Sequence, residues 1–184
     1  MQDAAWLSVV SSPTTCFAPM LCDRLTIRPS RPEDQSAVFS VERKAFGRAH
    51  EARLVDQLIP APQYTISLVA ECDGRIIGHV LLTEIGAPVK ALALAPLAVS
   101  AEYREMQVGS RLVRTAIEMA KTDGFDAIFV LGDVLYYERF GFSGKLADPF
   151  SVRWQGRHFM ALELKNGALK GRRGKLEYPE PFLQ

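Results

Sequence analysis

The chain has 184 residues, a length that suits one domain, or one domain with a tail. Its 22 basic and 21 acidic residues leave a net charge of +1, which argues against nucleic acid or an anionic membrane as the main partner. No stretch is long and apolar enough to span a bilayer, and the N-terminus lacks the basic start of a signal peptide, so we expect a soluble cytoplasmic protein.

The first half of the chain predicts a strand, two helices and a hairpin. Residues 1–22 lack clean periodicity and are interpreted as a tail or edge segment, followed by a single domain over residues 23–184. Ser30 is the predicted N-cap of the first helix, and Cys72-Asp73-Gly74 is the predicted hairpin turn. Apolar periodicity predicts, in chain order, a strand over 24–30, helices over 31–46 and 49–58, and strands over 64–71 and 75–85.

The second half predicts a strand–helix–strand unit and then shorter elements. Pro96 removes one ladder hydrogen bond from the first strand of the unit, so that strand should carry a bulge or a break there. Asp133 is the predicted cap of a short helix that ends at Gly141. The predicted elements are a strand over 89–100, a helix over 108–124, a strand over 125–131, a helix over 134–140, a closing hairpin of 151–154 with 157–164, and a short edge strand within 174–184.

This element order predicts an α/β domain (α+β mixed) with a mixed sheet, in which the strands on either side of the helix over 108–124 are parallel neighbours. The cysteines Cys16, Cys22 and Cys72 are odd in number and not closely paired, which argues against a disulfide framework and fits a reducing compartment. The three histidines lie far apart and build no metal-ligand pattern.

The junction before the helix over 108–124 has the properties of an anion site. A helix N-terminus offers unpaired N–H groups and partial positive charge, and Gly109 would let a ligand approach the backbone. Arg104, Arg111 and Arg114 add cationic groups near this end. The loop is poor in glycine, so the loop alone favours a plain connection with a solvated basic helix face at this point.

The Pro-broken strand adds a second indication. If it parts from its parallel neighbour, it leaves free backbone groups, and a ligand with amides can pair with these as an extra strand would. The point where a sheet changes direction is also a common ligand site. Coenzyme A carries amides in one part, which match the open strand edge, and a pyrophosphate in another part, which matches the loop before the helix.

The segment over residues 96–142 resembles the acetyl-CoA-binding core of the GNAT N-acetyltransferase superfamily, closest to the bacterial YhbS-like acetyltransferases. REMQVG, residues 104–109, resembles the family loop Gln/Arg-x-x-Gly-x-Gly/Ala, and LGDVLYYERFGF, residues 131–142, resembles the family segment LGDPxxYxRFGF. Gln107 departs from the family glycine: it costs little in a right-handed helical backbone and weakens binding if the position needs a positive φ.

The resemblance implies a GNAT-like fold, with a central mixed, mostly antiparallel sheet that is splayed at one strand pair and flanked by helices. It implies direct transfer of an acetyl group from acetyl-CoA, without a metal, to a primary amine of a small-molecule or protein acceptor. It also implies two groups of cofactor-binding residues: the free amides of Leu97, Ala98 and Val99 for the pantetheine arm, and the loop residues Arg104, Glu105, Met106, Gln107, Val108, Gly109 and Ser110 for the pyrophosphate.

Tyr137 matches the family tyrosine and is the implied general acid, because a phenol is protonated at neutral pH and can protonate a departing sulfur. The alternative is that Tyr137, like Tyr136, packs on the sheet. The base stays open among Glu51, Glu84, His79 and a water relay.

Two other functions compete with acetyl transfer: a non-catalytic acyl-CoA-binding or sensing module on the same fold, and a phosphate-binding domain. The second lacks a Gly-rich nucleotide fingerprint. The oligomeric state is open, with a homodimer as one candidate.

Overall fold

The computed structural model describes residues 22, 24–47, 49–61 and 63–183, so nearly all of the predicted tail over residues 1–22 lies outside the described residues. The strands are β1 (Leu25–Pro29), β2 (Thr65–Cys72), β3 (Arg75–Ile85), β4 (Ala91–Val99), β5 (Ala127–Leu131), β6 (Phe150–Ser151), β7 (Phe159–Glu163) and β8 (Gly174–Lys175). The α-helices are α1 (Gln35–Phe46), α2 (His50–Leu58), α3 (Val108–Thr122), α4 (Val134–Glu138) and α5 (Gly144–Ala147). Short 3-10 turns cover Pro32–Asp34, Ala101–Tyr103 and Glu180–Leu183.

Six strands form the central sheet, in the order β1-β2-β3-β4-β5-β7. Within this sheet β4 and β5 are parallel, as expected for strands that a helix connects, and the other neighbours are antiparallel. Helices flank the sheet, so the predicted fold class, a mixed and mostly antiparallel sheet between helices, is confirmed. None of the helices in the described part of the chain is both long and apolar enough to cross a membrane.

The strands β4 and β5 part halfway along β4. Their pairing runs from Ala91 opposite Ala127 to Leu94 opposite Val130, and β4 then continues to Val99 beside β3 alone. On its other side β4 carries a bulge around Pro96, because Leu94 pairs with Leu82 but Leu97 pairs with Val80. The predicted bulge and the predicted splay are therefore both confirmed, and they leave one edge of β4 open after Leu94.

The helices pack on opposite faces of the sheet. Because side chains alternate along a strand, Leu68 and Ala70 of β2 join the core cluster with α3, whereas Val69 joins the cluster with α1 and α2. The apolar stripe of α3 is buried as predicted, with Leu112 fully covered. A third cluster lies beyond β5, where the Phe129 ring stacks on Phe159 at 5.7 Å.

The predicted closing hairpin is wrong. Strand β6 pairs with β8 in a separate parallel two-stranded sheet, and β7 instead completes the main sheet beside β5. Phe150 of β6 points into the third core cluster, where it meets Phe129 edge-on at 5.1 Å. Only Ser151 of the predicted first strand lies in a strand, and Trp154 packs edge-on against Tyr178, whereas Phe159 and Met160 of β7 are buried in the core. The predicted short strand in the tail exists as β8.

The first helix begins later than the sequence suggested. A 3-10 turn over Pro32–Asp34 precedes α1, and the residue before this turn is Arg31. Ser30 is thus not an N-cap, because its hydroxyl lies 2.6 Å from the Ser67 hydroxyl on β2. Proline suits the first turn since it lacks the N–H that would stay unpaired there.

The prediction that the cysteines do not pair is wrong for Cys22 and Cys72, which form a disulfide with a Cα–Cα distance of 5.9 Å. The two residues are 50 positions apart, and the antiparallel register of β1 and β2, with Leu25 opposite Cys72, brings them together. The cysteine pattern therefore no longer supports a reducing compartment. Cys16 lies outside the described residues.

Asp34 precedes α1 and accepts three hydrogen bonds, two of which tie it to Arg28 of β1. Arg28 donates to its two carboxylate oxygens at 2.6 and 3.0 Å, and the Arg31 amide donates at 2.8 Å. The Arg28 guanidinium holds the pKa of Asp34 below its usual range, against the opposing effect of burial. Because the folded state favours the ionised carboxyl, this stabilisation is present above the pKa of the unfolded chain and is lost as the pH falls below about 4.

Replacing Asp34 with asparagine should lower the free energy of unfolding at pH 7 by about 1–3 kcal/mol, because Arg28 then loses a charged partner. Urea unfolding at pH 7 and pH 3 measures the effect, and the difference from the unaltered protein should shrink at pH 3. Glu33→Gln is the control, because Glu33 is exposed and lies 3.9 Å from Arg31. A difference that stayed the same at both pH values would contradict this linkage.

Candidate functional site

A cavity of about 540 Å³ lies beside the open edge of β4, against the N-terminus of α3 and one face of α4. Its position follows from the splay, because the parting of β4 from β5 leaves room at the end of the sheet. The residues that line it are Leu97, Val99, Tyr103, Arg104, Glu105, Gln107, Val108, Gly109, Ser110, Asp133, Leu135, Tyr136 and Arg139.

The loop before α3 turns its backbone through two left-handed residues. Glu105 has φ 70° and Gln107 has φ 58° and ψ 16°. The first intrahelical bond of α3 runs from Arg111 N to Gln107 O, so the amides of Val108 to Ser110 precede it. The Gln107 side chain does not cap these amides. Alternating backbone conformations of this kind collect N–H groups into a concave anion site.

The backbone angle at Gln107 shows whether a residue other than glycine is strained at this position. The position does require a positive φ, which costs about 1–2 kcal/mol for a residue with a Cβ. The loop therefore adopts its conformation against a local penalty.

Replacing Gln107 with glycine should raise the free energy of unfolding by up to about 1 kcal/mol, after the greater flexibility of the unfolded glycine is subtracted. Thermal and urea unfolding measure the change. Ser100→Gly is the matched control in the same connection, because Ser100 has φ −55° and gains nothing from glycine. Equal destabilisation by the two substitutions would show that the left-handed angle at Gln107 carries no penalty.

Gly109 leaves space that any side chain would fill. A Cβ at this position would lie 2.7 Å from the Tyr136 hydroxyl and 3.6 Å from Val99 Cγ2. The first distance is shorter than real Cβ contacts allow, so the glycine lets α3, α4 and β4 meet at the cavity. The predicted approach of a ligand to the backbone at Gly109 stays a prediction, and the atom nearest to a Cβ at this position is the Tyr136 hydroxyl.

Among the described residues, two arginines face the cavity, and they are not the set that the sequence suggested. Arg104 lines it from the loop and Arg139 from the end of α4. Arg111 instead donates to the Leu25 carbonyl at 3.0 Å, and the Arg114 guanidinium lies 5.6 Å from the centre of the Phe140 ring. The cationic character of the site therefore comes from both of its walls.

Helix α4 presents one face to the cavity because its capped start fixes its orientation. The Asp133 carboxylate accepts a hydrogen bond from Tyr136 N at 2.7 Å. Asp133, Tyr136 and Arg139 are three residues apart and share one face, and all three line the cavity. Burial raises the pKa of Tyr136, although its hydrogen bond with Ser110 opposes this.

Tyr137 points the other way, into the interior on the α3 side. It is fully buried, and its ring meets Tyr136 at 5.0 Å and Phe142 at 5.5 Å, both edge-on. It does not line the cavity, which in the described part of the chain is walled by Tyr136. Sequence reasoning missed Tyr136 and Arg139, although their spacing from the Asp133 cap could have revealed them.

A family model described as Acetyltransferase (GNAT) family matches residues 35–142, which is more than half of the chain. The chain belongs to the GNAT acetyltransferase family. Its resemblance to this family is confirmed by the match and by the order of the sheet.

Relatives of this GNAT chain cover most of its length. The uncharacterized N-acetyltransferase YjhQ of Escherichia coli is 39% identical over 131 residues, which cover 67% of this chain and 72% of YjhQ. The uncharacterized N-acetyltransferase YhbS of Escherichia coli is 32% identical over 164 residues, 86% of this chain and 98% of YhbS.

Two solved structures are also similar to it. The crystal structure of Escherichia coli YhbS in complex with CoA matches with a TM-score of 0.83 and 31% identity, over 92% of this chain and 97% of that chain. A GNAT family acetyltransferase from Brucella melitensis in complex with acetyl-CoA matches with a TM-score of 0.73 and 26% identity, over 86% of this chain and 98% of that chain.

In this GNAT domain the predicted cofactor-binding residues converge on one cavity, with two exceptions. Ala98 is buried and points to the opposite face of the sheet, where it pairs with His79. Met106 packs against the core cluster on the α3 side. Both residues were predicted to bind through their backbone groups. Ala98 does lie in β4 and Met106 in the loop, as predicted.

The three base candidates lie outside the cavity lining. Glu84 is half-buried opposite Leu92, which is about 16 Å along β4 from Leu97. Glu51 is buried at the start of α2. His79 is fully buried on β3, and its Nδ1 lies 2.6 Å from Glu42 Oε1 on α1. Glu42 was not considered from the sequence, because no local pattern marks a charged residue on the apolar face of a helix as buried.

Proposed function

We propose that this chain transfers an acetyl group from acetyl-CoA directly to a primary amine of a small molecule or protein. The observation that carries the proposal is the cavity where β4 leaves β5, bounded by the α3 N-terminus and by Gly109. Two similar solved structures are complexes with CoA and with acetyl-CoA, which supports the same ligand here. The cytoplasm is the proposed compartment, although disulfides such as Cys22–Cys72 are rare there.

The residues present fit such a ligand. The amides of Val108, Gly109 and Ser110, together with the arginines on two walls, provide donors and positive charge for a pyrophosphate. Gly109 keeps this cradle free of a Cβ. Bound acetyl-CoA would supply the activated acetyl group.

The open edge of β4 supplies the second half of the binding site. After Leu94 this edge has no partner strand in the described part of the chain, so the backbone at Leu97–Val99 can pair with the amides of an extended ligand arm. Backbone N–H groups held in this rigid edge can also polarise a carbonyl oxygen without reorganisation.

Tyr137 is the proposed general acid for the departing sulfur. Its helix begins directly after β5, at the end of the sheet where β4 has moved away. A phenol is protonated at neutral pH and can donate its proton to a thiolate. Because the Tyr137 ring lies behind Tyr136 and outside the cavity lining, this role requires the sulfur of the bound donor to reach past Tyr136. Tyr136, on the neighbouring face of α4, holds the cavity wall through Ser110.

Calorimetry with acetyl-CoA tests the binding step, and release of free CoA with a panel of primary amines tests the transfer. Saturable binding of acetyl-CoA followed by amine-dependent CoA release is the expected result. Binding without release by any amine would favour the sensing module, an alternative that the strained Gln107 in the loop supports. A protein that binds inorganic phosphate but not acetyl-CoA would overturn the proposal.

A further inference from the structure

A chain of hydrogen-bonding side chains runs through the domain on the face opposite the cavity. Glu42 Oε1 lies 2.6 Å from His79 Nδ1, His79 Nε2 lies 3.0 Å from Ser67 Oγ, and Ser67 Oγ lies 2.6 Å from Ser30 Oγ. Glu42 and His79 are fully buried, whereas Ser67 and Ser30 are half-buried. The chain therefore leads from the interior to the surface.

The inner end of this chain lies next to the strand that carries the reaction site. His79 pairs with Ala98 across β3 and β4, and directly opposed residues have Cβ atoms about 4.5–5.5 Å apart. Ala98 belongs to the open segment of β4 proposed to hold the donor. Helix α1, which carries Glu42, packs over both β3 and β4.

Glu42 has an open position at the inner end. Its Oε2 is buried and has no hydrogen-bond partner among the described residues, although its other oxygen is bonded to His79. Burial raises the pKa of the Glu42 carboxyl; His79 opposes this and the charge of Glu51 on α2 adds to it. His79 and Glu51 are the titratable groups of the described residues that act on Glu42. A buried acceptor without a hydrogen-bond donor destabilises the folded state, so a role in function would explain why it is kept.

The proposed reaction produces a proton that must leave the interior. An ammonium acceptor that becomes an amide gives up two protons: one ends on the sulfur of the released CoA, and the other must reach solvent. We propose that Glu42, His79, Ser67 and Ser30 form the relay that carries this second proton from beneath β4 to the surface. This inference rests on the proposed function.

The step balances atom by atom along the relay. The acceptor gives its second proton to Glu42 Oε2 through the gap that β4 and β5 leave beyond Leu94, while Oε1 passes the proton that it shares with His79 to Nδ1. His79 releases the proton on Nε2 to Ser67, and the hydroxyls of Ser67 and Ser30 rotate to pass a proton outward to water. One proton enters and one leaves, and no side chain keeps a net charge.

The test uses the amine identified by CoA release and compares rates at pH values on both sides of its pKa. Glu42→Gln, His79→Gln and Ser67→Ala should each lower kcat at least tenfold where the acceptor is an ammonium ion, with KM for acetyl-CoA unchanged within twofold. The loss should vanish where the acceptor arrives as a free amine, because no second proton then has to leave. A loss that is the same at every pH would overturn the relay.

Matched variants separate the relay from structural damage. Asp34→Asn removes another buried carboxylate, ion-paired to Arg28 outside the relay, so its pH profile should match that of the unaltered protein. Ser67→Ala keeps both buried partners and breaks only the half-buried link, so it tests the relay even if Glu42→Gln does not fold. Full activity of Ser67→Ala in the ammonium range would contradict the proposal.

Histidine NMR gives a readout that needs neither acetyl-CoA nor an acceptor. The chain has three histidines, so the His79 signals can be assigned by their loss in His79→Gln. The His79 signals should move in Glu42→Gln and Ser67→Ala and stay in Asp34→Asn. If the His79 signals do not change in Glu42→Gln, the relay is contradicted and the proposed function is not. If acetyl-CoA does not bind, the proposed function is contradicted, and the NMR result remains valid.

Discussion

Replacing Gly109 with alanine should weaken acetyl-CoA binding by about 10- to 100-fold. The new Cβ would lie 2.7 Å from the Tyr136 hydroxyl, so Tyr136 must move into the cavity or α3 must shift away from it. Overpacking of this kind costs about 1–3 kcal/mol when the neighbours keep their places. If Tyr136 relaxes into the cavity, acetyl-CoA has to push it back on binding, so this cost is lost from the affinity, and about 1.4 kcal/mol corresponds to a tenfold change. Calorimetric titration with acetyl-CoA measures the change.

The same substitution should not destabilise helix α3, so a loss of affinity would not be due to unfolding of this helix. Gly109 lies in the first turn of α3, where alanine has the higher helix propensity. Gly156→Ala is the matched control, because a Cβ there would meet nothing within 4 Å. An unchanged affinity in Gly109→Ala would show that acetyl-CoA does not bind against this turn.

Replacing Tyr137 with phenylalanine should lower kcat by about 100-fold or more, with little change in KM for acetyl-CoA, because the departing sulfur loses its proposed proton donor. Its ring contacts with Tyr136 and Phe142 persist in the variant, so the packing loss is small. Steady-state kinetics with the amine found by CoA release measure both constants.

Tyr136→Phe is the internal comparison, because Tyr136 is the neighbouring phenol and it lines the cavity. It should raise KM for acetyl-CoA and leave kcat within a few-fold, since its hydroxyl pairs with Ser110 at the cradle. The reverse pattern, with kcat lost in Tyr136→Phe and kept in Tyr137→Phe, would assign the general acid to Tyr136.

The sequence predicted most of the secondary structure because the signals are local. Period-2 and period-3.6 apolar patterns, the turn Asp73-Gly74 and the cap Asp133 act within a few residues and need no knowledge of neighbours. Pro96 predicted a break in β4 for the same reason, since a missing N–H belongs to the residue itself. These signals were enough to place an open strand edge before the N-terminus of α3.

Side-chain direction at the site was less accessible to sequence reasoning. The cap at Asp133 and the spacing of three residues could have placed Tyr136 and Arg139 on one face. Whether that face meets the cavity or the core depends on how α4 is set against β4 and α3. Gln107 is a similar case, because its positive φ follows from the path of the loop rather than from its own preference.

The sequence by itself determined the order of the elements, the bulge and the loop at the α3 N-terminus, and the family core that joins them. The tertiary structure alone decided which distant residues meet. It paired β6 with β8, joined Cys22 to Cys72 across 50 positions, and buried Glu42 against His79 from 37 positions away. Such contacts depend on which elements cover the two faces of the sheet. An apolar pattern indicates that a face is buried, but it does not indicate which element packs against that face.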